Sequence, residues 1–238
     1  MRMIKFQIPN FSRYFNNFKN FNNLSVFRVL TNEKLETLKL DGRILDYGGG
    51  EVINYRNQVN QWIKLYNIKY ESINIDSEKK PTYLVDEGKL LNIESKVFDM
   101  VVSFNTFEHI YDVAYVFDEI HRMLKPKGTF IFIVPFIIRV HGHPDDFLRG
   151  TPSYWNKLLN DSGFKDVNID SINWGPFTTG QAISGIPGPF KKIRKMLALL
   201  LDILYFKIKK NGNFFLECQE DDPICSAPLG YCISSTKN

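Results

Sequence analysis

The 238-residue chain is poor in cysteine: Cys218, Cys225 and Cys232 all lie near the C-terminus, evenly spaced. An odd count without a Cys-x-x-Cys pair argues against a zinc site and against a disulfide framework, so a reducing, cytoplasmic compartment is expected. Long apolar runs are also missing, and no stretch approaches the ~20 apolar residues that cross a bilayer. Asparagines break up the phenylalanines between Met1 and Asn23, so a secretory signal is not expected there. Acid is absent before Glu33, while Arg2, Lys5, Arg13, Lys19 and Arg28 lie among aromatics. A transit peptide or a membrane-touching arm would have this make-up, but a polar, partly ordered cap over residues 1–40 is the expectation. Strong charge of either sign is lacking: the net charge is +4 and the isoelectric point near 8.8, so nucleic acid is not an expected partner. No internal repeat or low-complexity linker occurs.

What remains is enough to fold. Hydrophobic residues make up 44% and charged residues 24%, which supports a full core in one domain with a few extra elements. Helical spacing runs from about Leu24 to Leu40, with Thr31 as a candidate cap inside it. Arg43 to Asp46 reads as a buried strand ending in glycines, followed by a helix from Val52 to about Tyr66. Strands are expected at Tyr70–Ile75, Thr82–Val85, Phe98–Phe104, Thr129–Val134 and Val167–Ile172. Helices are expected at Val113–Leu124, where Val113, Phe117, Ile120 and Leu124 share a face, and at Pro152–Leu159. This alternation predicts an α/β fold: a doubly wound, mostly parallel sheet with helices on both faces, whose ligands sit at the strand carboxyl ends.

The turn Asp46-Tyr47-Gly48-Gly49-Gly50 then carries the chemistry. Gly48 and Gly50 permit backbone angles and a close ligand approach that a side chain would block. Asp46 can pair with an ammonium group, directly or through water. Asp76, ending the second strand, can accept both hydroxyls of a ribose. A dinucleotide fingerprint wants a further glycine three residues after Gly50, but Ile53 stands there, which favours a cationic, phosphate-free cofactor over a pyrophosphate.

These segments together resemble the S-adenosylmethionine-dependent methyltransferases of class I, and within them the type 11 group. Gly42 to Gly50 resembles the family's first motif and Asn74-Ile75-Asp76 its ribose-binding second. Val85-Asp86-Glu87 is similar to the end of the third strand, where an acid meets the adenine amino group. Phe98 to His109 resembles the fourth strand and the Glu-His segment after it. His121 to Gly128, Ser162-Gly163-Phe164 and Pro228 to Tyr231 fit the later elements in order, and Val52 departs from the glycine common at its position. The resemblance implies seven strands in the order 3-2-1-4-5-7-6, a methyltransferase domain over 41–238, and S-adenosylmethionine contacts from Asp46, Tyr47, Gly48, Gly49, Gly50, Asp76, Asp86, Ser103 and Asn105. The loop His141 to Thr151 is similar to one in surface-glycan methyltransferases.

Methyl transfer to oxygen or nitrogen needs positioning and a base. His109, His141 and His143 are the candidate bases, and Asp146 and Arg149 are candidates to orient a small-molecule or glycan acceptor. Asp146 and Arg149 could instead pair with each other, with Thr151 capping the next helix. Some relatives hold a metal on Glu-x-x-Glu-His; Asn105 replaces the first acid here, so no metal is expected. A non-catalytic cofactor-binding or scaffolding protein with the same fold is the alternative reading. Finally, a helical insertion is expected at about 187–211. Its apolar centre Met196 to Phe206, interrupted by Asp202 and flanked by lysines, suits packing on the domain, a homodimer through 190–210, or peripheral contact with an anionic membrane.

Overall fold

The computed structural model describes residues 3–86, 92–142, 145–183, 188–209, 215–219, 221–222 and 225–238. Strand β1 (Met3–Gln7) precedes helices α1 (Phe11–Asn16), α2 (Phe18–Asn23) and α3 (Val26–Thr37). Strand β2 (Arg43–Tyr47) leads through the glycines to α4 (Arg56–Tyr66). Strands β3 (Lys69–Asn74) and β4 (Tyr83–Leu84) flank a 3₁₀ turn, Ser77–Lys79. Strand β5 (Phe98–Phe104) runs into a second 3₁₀ turn, Phe107–His109, followed by α5 (Val113–Met123) and β6 (Leu124–Pro135). The remaining elements are α6 (Pro152–Asp161), β7 (Phe164–Ile172), α7 (Pro176–Ile183), α8 (Lys191–Lys209), β8 (Phe215–Gln219) and β9 (Gly230–Lys237).

The sheet order is β4-β3-β2-β5-β6-β9-β7-β1-β8. The seven expected strands follow the expected sequence, but among the described residues their number is corrected to nine. Strand β1 pairs parallel with β7 and antiparallel with β8. It was hidden because its five residues alternate with a period of two, burying only Ile4 and Phe6 within what reads as a polar cap. Helix α4 also starts four residues later than expected. The N–H groups of Glu51 and Val52 both donate to the Lys79 carbonyl, at 2.8 and 3.2 Å, instead of opening a helix.

Two compact units divide the chain. One comprises 35–134, 142–168 and 233–238. It is built on the mostly buried strand β5 and an aromatic core in which Phe107 lies 5.0 Å from Phe117 and 5.4 Å from Phe132, ring centre to ring centre. Helices α5 and α6 start where side chains cap them. The Asp112 carboxylate accepts from Tyr115 N–H, and the Thr151 hydroxyl accepts from Tyr154 N–H one residue before Pro152.

The other unit comprises 1–34, 135–141 and 169–232. Here Arg13 forks onto Glu33 at 2.6–2.9 Å and stacks over the Trp174 ring. Phe6, Ile8, Phe206, Cys218 and Cys225 form an apolar cluster. Cys218 and Cys225 are joined in a disulfide, which corrects the expectation drawn from the odd count. A turn after β8, held by Cys225 N–H on the Asp222 carbonyl, brings the seven-residue spacing back on itself. Cys232 is a buried free thiol, pushed up to about 12 by burial.

Helix α8 packs Ala198, Leu199, Ile203 and Phe206 inward. Asp202, the charge that interrupts its apolar run, is fully buried and accepts from the N–H groups of Phe177 and Thr178 at 3.0 and 2.9 Å. It therefore satisfies the first turn of α7, supplying from another helix the cap that Gly175, with no side chain, cannot offer.

Candidate active site

Strand β2 sits between β3 and β5, parallel to both, and the order of the sheet reverses at β2 and β5. Crossover connections leave to opposite faces at such a point, opening a crevice at the strand carboxyl ends. Two segments emerge there: Asp46 to Gly50 after β2 and Asn105 to His109 after β5.

Asp46 is fully buried. Its Oδ2 accepts from the hydroxyls of Tyr55, at 2.7 Å, and Tyr70, at 2.5 Å, whereas its Oδ1 has no hydrogen-bond partner among the described residues. Burial pushes the carboxyl up to about 6, although the two hydroxyls and the Arg56 guanidinium hold it down. Arg56 also lies over the Tyr70 ring, 5.7 Å from its centre. Asn105 has a left-handed backbone, φ 55°, tolerated because its short amide side chain suits that region. Its N–H donates to the Ile133 carbonyl, and its buried Oδ1 also lacks a partner among the described residues.

The glycines are required, Gly48 by the backbone angle expected of it and all three by the packing of the turn. Gly48 has φ 92°, and a Cβ there would strike the Thr106 side chain; one on Gly50 would strike the Lys79 carbonyl. The close approach is thus made by the protein's own chain. A Cβ on Gly49 would collide with Asp46 itself. The Asn74 amide ties the turn from the other side, donating to the Gly48 and Gly49 carbonyls at 2.9 and 3.0 Å.

The remaining expected contacts are distributed along the strand tips. Ser103 is fully buried, and its hydroxyl donates to the Tyr47 carbonyl at 2.8 Å, tying β5 to β2. The Tyr47 ring lies 6.0 Å from Phe107. Asp76 caps the 3₁₀ turn by accepting from Glu78 N–H at 2.9 Å, with the Lys79 ammonium 3.9 Å from its other oxygen. Asp86 is exposed, two residues past β4. Tyr55, Tyr70, Arg56 and Asn74 had no assignment in the sequence. Only Asn74, an amide at a strand end two residues before Asp76, carried a readable signal.

His109 meets the loop that follows β6. Its Nδ1 lies 2.5 Å from the Asp145 carbonyl, and the Glu108 carbonyl accepts from Phe147 N–H at 2.7 Å. A carbonyl can only accept, so Nδ1 carries the hydrogen and the lone pair of the neutral ring is on Nε2. Glu108 is buried, with one oxygen 3.7 Å from that Nε2. Asp146 and Arg149 form a two-pronged ion pair, the Asp146 side chain being 2% exposed. His141 is exposed, with Nδ1 3.2 Å from the Arg139 carbonyl; it belongs to the other compact unit. His143 lies outside the described residues.

The family model described as a methyltransferase domain matches residues 45–132, from the tip of β2 to β6. No curated protein sequence matches the chain. Among solved structures, a complex of the Trm112 methyltransferase activator from Haloferax volcanii is similar at TM-score 0.56 and 16% identity, over 95% of this chain and 94% of that one. A SAM-dependent methyltransferase from Archaeoglobus fulgidus is similar at TM-score 0.53 and 15% identity, over 94% of this chain and 100% of that one. Phosphoethanolamine N-methyltransferase 2 from Haemonchus contortus, bound to S-adenosyl-L-methionine, is similar at 0.52 and 13% identity, over 89% of this chain but 52% of that one. At such identities the likeness is one of fold. The chain thus carries a methyltransferase domain match across the β2 and β5 strand tips and shares the fold of S-adenosylmethionine-dependent methyltransferases.

Proposed function

We propose that the chain transfers a methyl group from S-adenosylmethionine to an oxygen or nitrogen of a small-molecule or glycan acceptor. The observation that carries this reading is the pair of buried acceptor oxygens at adjacent strand tips, Asp46 Oδ1 and Asn105 Oδ1, that have no partner among the described residues. Buried acceptors lacking a donor are costly, and an α-ammonium supplies the missing hydrogens together with the charge that a buried carboxylate needs. The residues therefore fit the amino-acid end of the cofactor. Tyr47, Ser103 and Gly48 to Gly50 fix the turn that presents them. Asp76 and Asp86, at the ends of β3 and β4, are assigned to the ribose and the adenine.

When bound, the cofactor supplies a sulfonium-borne methyl that an acceptor lone pair displaces in line. The chain's own task is to position the acceptor and remove its proton. His109 Nε2 is assigned as the base, with the Asp145 carbonyl holding its tautomer. Asp146 and Arg149 are committed to each other, and through that pair they shape the loop that carries the acceptor.

Calorimetry with S-adenosylmethionine and S-adenosylhomocysteine, followed by labelled-methyl transfer to a panel of hydroxyl and amine acceptors, tests both steps. Absence of binding to either compound sinks the cofactor assignment. Full turnover by His109→Gln, on an acceptor the wild type methylates, removes the base assignment; His141→Ala and His143→Ala test the other two histidines in the same assay.

A further inference from the structure

Helix α8 has a second apolar face. Ile193, Leu197, Leu201, Leu204 and Ile208 are each between 47% and 82% exposed. At about 100° per residue they fall within one arc of about 80°. That arc lies opposite the face that buries Ala198, Leu199, Asp202, Ile203 and Phe206. A single exposed leucine is ordinary, but a stripe along a 19-residue helix is a contact surface.

The charges on the same helix indicate what covers it. Lys191, Lys192, Arg194, Lys195, Lys207 and Lys209 are its cations, and its one acid, Asp202, is buried and occupied by α7. A second copy laid along the stripe would bring two cationic helices together with no exposed carboxylate on either. An anionic surface has the opposite charge. Arg194 and Lys207 stand on either side of the apolar arc, where headgroup phosphates would meet them. Lys195 donates to the Leu24 carbonyl at 3.0 Å, joining α8 to the end of α2. In that unit Phe11, Phe15 and Phe18 are also exposed, and the sequence carries no acid before Glu33, which Arg13 holds. No helix among the described residues is long and apolar enough to cross a membrane, so any contact through α8 is in the plane of the surface.

We propose that α8 docks the protein on an anionic lipid surface, with the Ile193–Ile208 stripe entering the headgroup boundary and the flanking Arg194 and Lys207 on the phosphates. This rests on α8 alone and not on the catalytic reading. The test is sedimentation of the full chain with vesicles of phosphatidylcholine, or of equal parts phosphatidylcholine and phosphatidylglycerol. Partitioning is expected to be at least about tenfold stronger on the anionic vesicles and to weaken with added salt. Leu201→Glu with Leu204→Glu, and separately Arg194→Gln with Lys207→Gln, should each lower it about tenfold without changing circular dichroism or the melting midpoint. Leu65→Gln, at an exposed leucine of α4, should change nothing. The proposal is overturned if the protein stays in the supernatant with anionic vesicles, or if both double variants still pellet like the wild type. It is also overturned if lipid-free protein is a dimer that the Leu201→Glu, Leu204→Glu variant dissociates, because the face then belongs to a second copy.

Discussion

Two fully buried aspartates divide the molecule's work between its two units. Asp202 has both oxygens engaged, one on each of two backbone N–H groups at the start of α7. Asp46 has one oxygen doubly engaged by tyrosine hydroxyls and the other empty-handed among the described residues. Burial raises both carboxyls, and in each case the hydrogen bonds oppose it. The difference lies in completeness. A saturated carboxylate stabilises a helix junction, whereas a half-saturated one at a strand tip stores a demand that a cationic ligand meets. Stability and binding should therefore separate cleanly between the two sites.

The largest expected effect is on binding at Asp46. In Asp46→Asn the amide oxygen can still accept from Tyr55 and Tyr70, but the charge opposite the ammonium is gone. Affinity for S-adenosylmethionine should fall about 100-fold or more, as for loss of a buried charge-assisted contact of ~3 kcal/mol. The melting midpoint should hold or rise, because a buried carboxylate has been removed. Calorimetry beside a thermal melt checks both; unchanged affinity would break the comparison. Asp202→Ala should do the reverse. Two buried N–H groups lose their acceptor at about 1–3 kcal/mol each, so the midpoint should drop by roughly 5–10 °C. Affinity for the cofactor, measured where the protein remains folded, should stay within about twofold.

Much of this was legible in the chain, and what was not has physical causes. Glycines after an apolar strand, with Asp76 after the next, pointed to the strand tips because backbone geometry demands those residue types in that order. Hidden were the contacts made by residues distant in sequence. Tyr55 and Tyr70 converge on Asp46 from α4's approach and from β3, and nothing local to either tyrosine announces it. Lys79 fills the space beside Gly50 from a turn 29 residues on. Asp202 read as a break in an apolar run, since a cap supplied across two helices leaves no periodic signal. Strand β1 escaped because five residues with only two buried give too short a pattern to stand against a polar, aromatic background.

The pH dependence sharpens the contrast further. The Asp46 carboxyl is raised from 3.8 to about 6 in the folded protein, so the native state binds more protons than the unfolded one between those values. Its contribution to stability is present at the acidic end and is lost as pH rises through about 6. Binding has the opposite sign, because the ammonium requires the ionised form. Cofactor affinity should be flat above about pH 7 and fall roughly tenfold per unit below about 6, a slope that Asp46→Asn abolishes. A titration by calorimetry in buffers of matched ionic strength measures it. A flat profile through pH 5 would mean that Asp46 does not face the ammonium.

The smallest effect tests whether the tyrosines matter to that titration. Tyr70 donates to Asp46 at 2.5 Å, and its own hydroxyl is held far above its ordinary pKa by burial and by the neighbouring carboxylate, so it remains a donor at every accessible pH. Tyr70→Phe keeps the ring against Arg56 and removes one of the two hydrogen bonds that favour the ionised carboxyl. Losing one neutral donor to a charged acceptor, at ~1 kcal/mol, should weaken cofactor binding about fivefold near neutrality. The midpoint of the pH profile should also move upward, since less now opposes burial. Tyr55→Phe should act in the same direction. If instead affinity falls with the midpoint unmoved, Tyr70 contributes through the packing of the turn and not through the charge of Asp46.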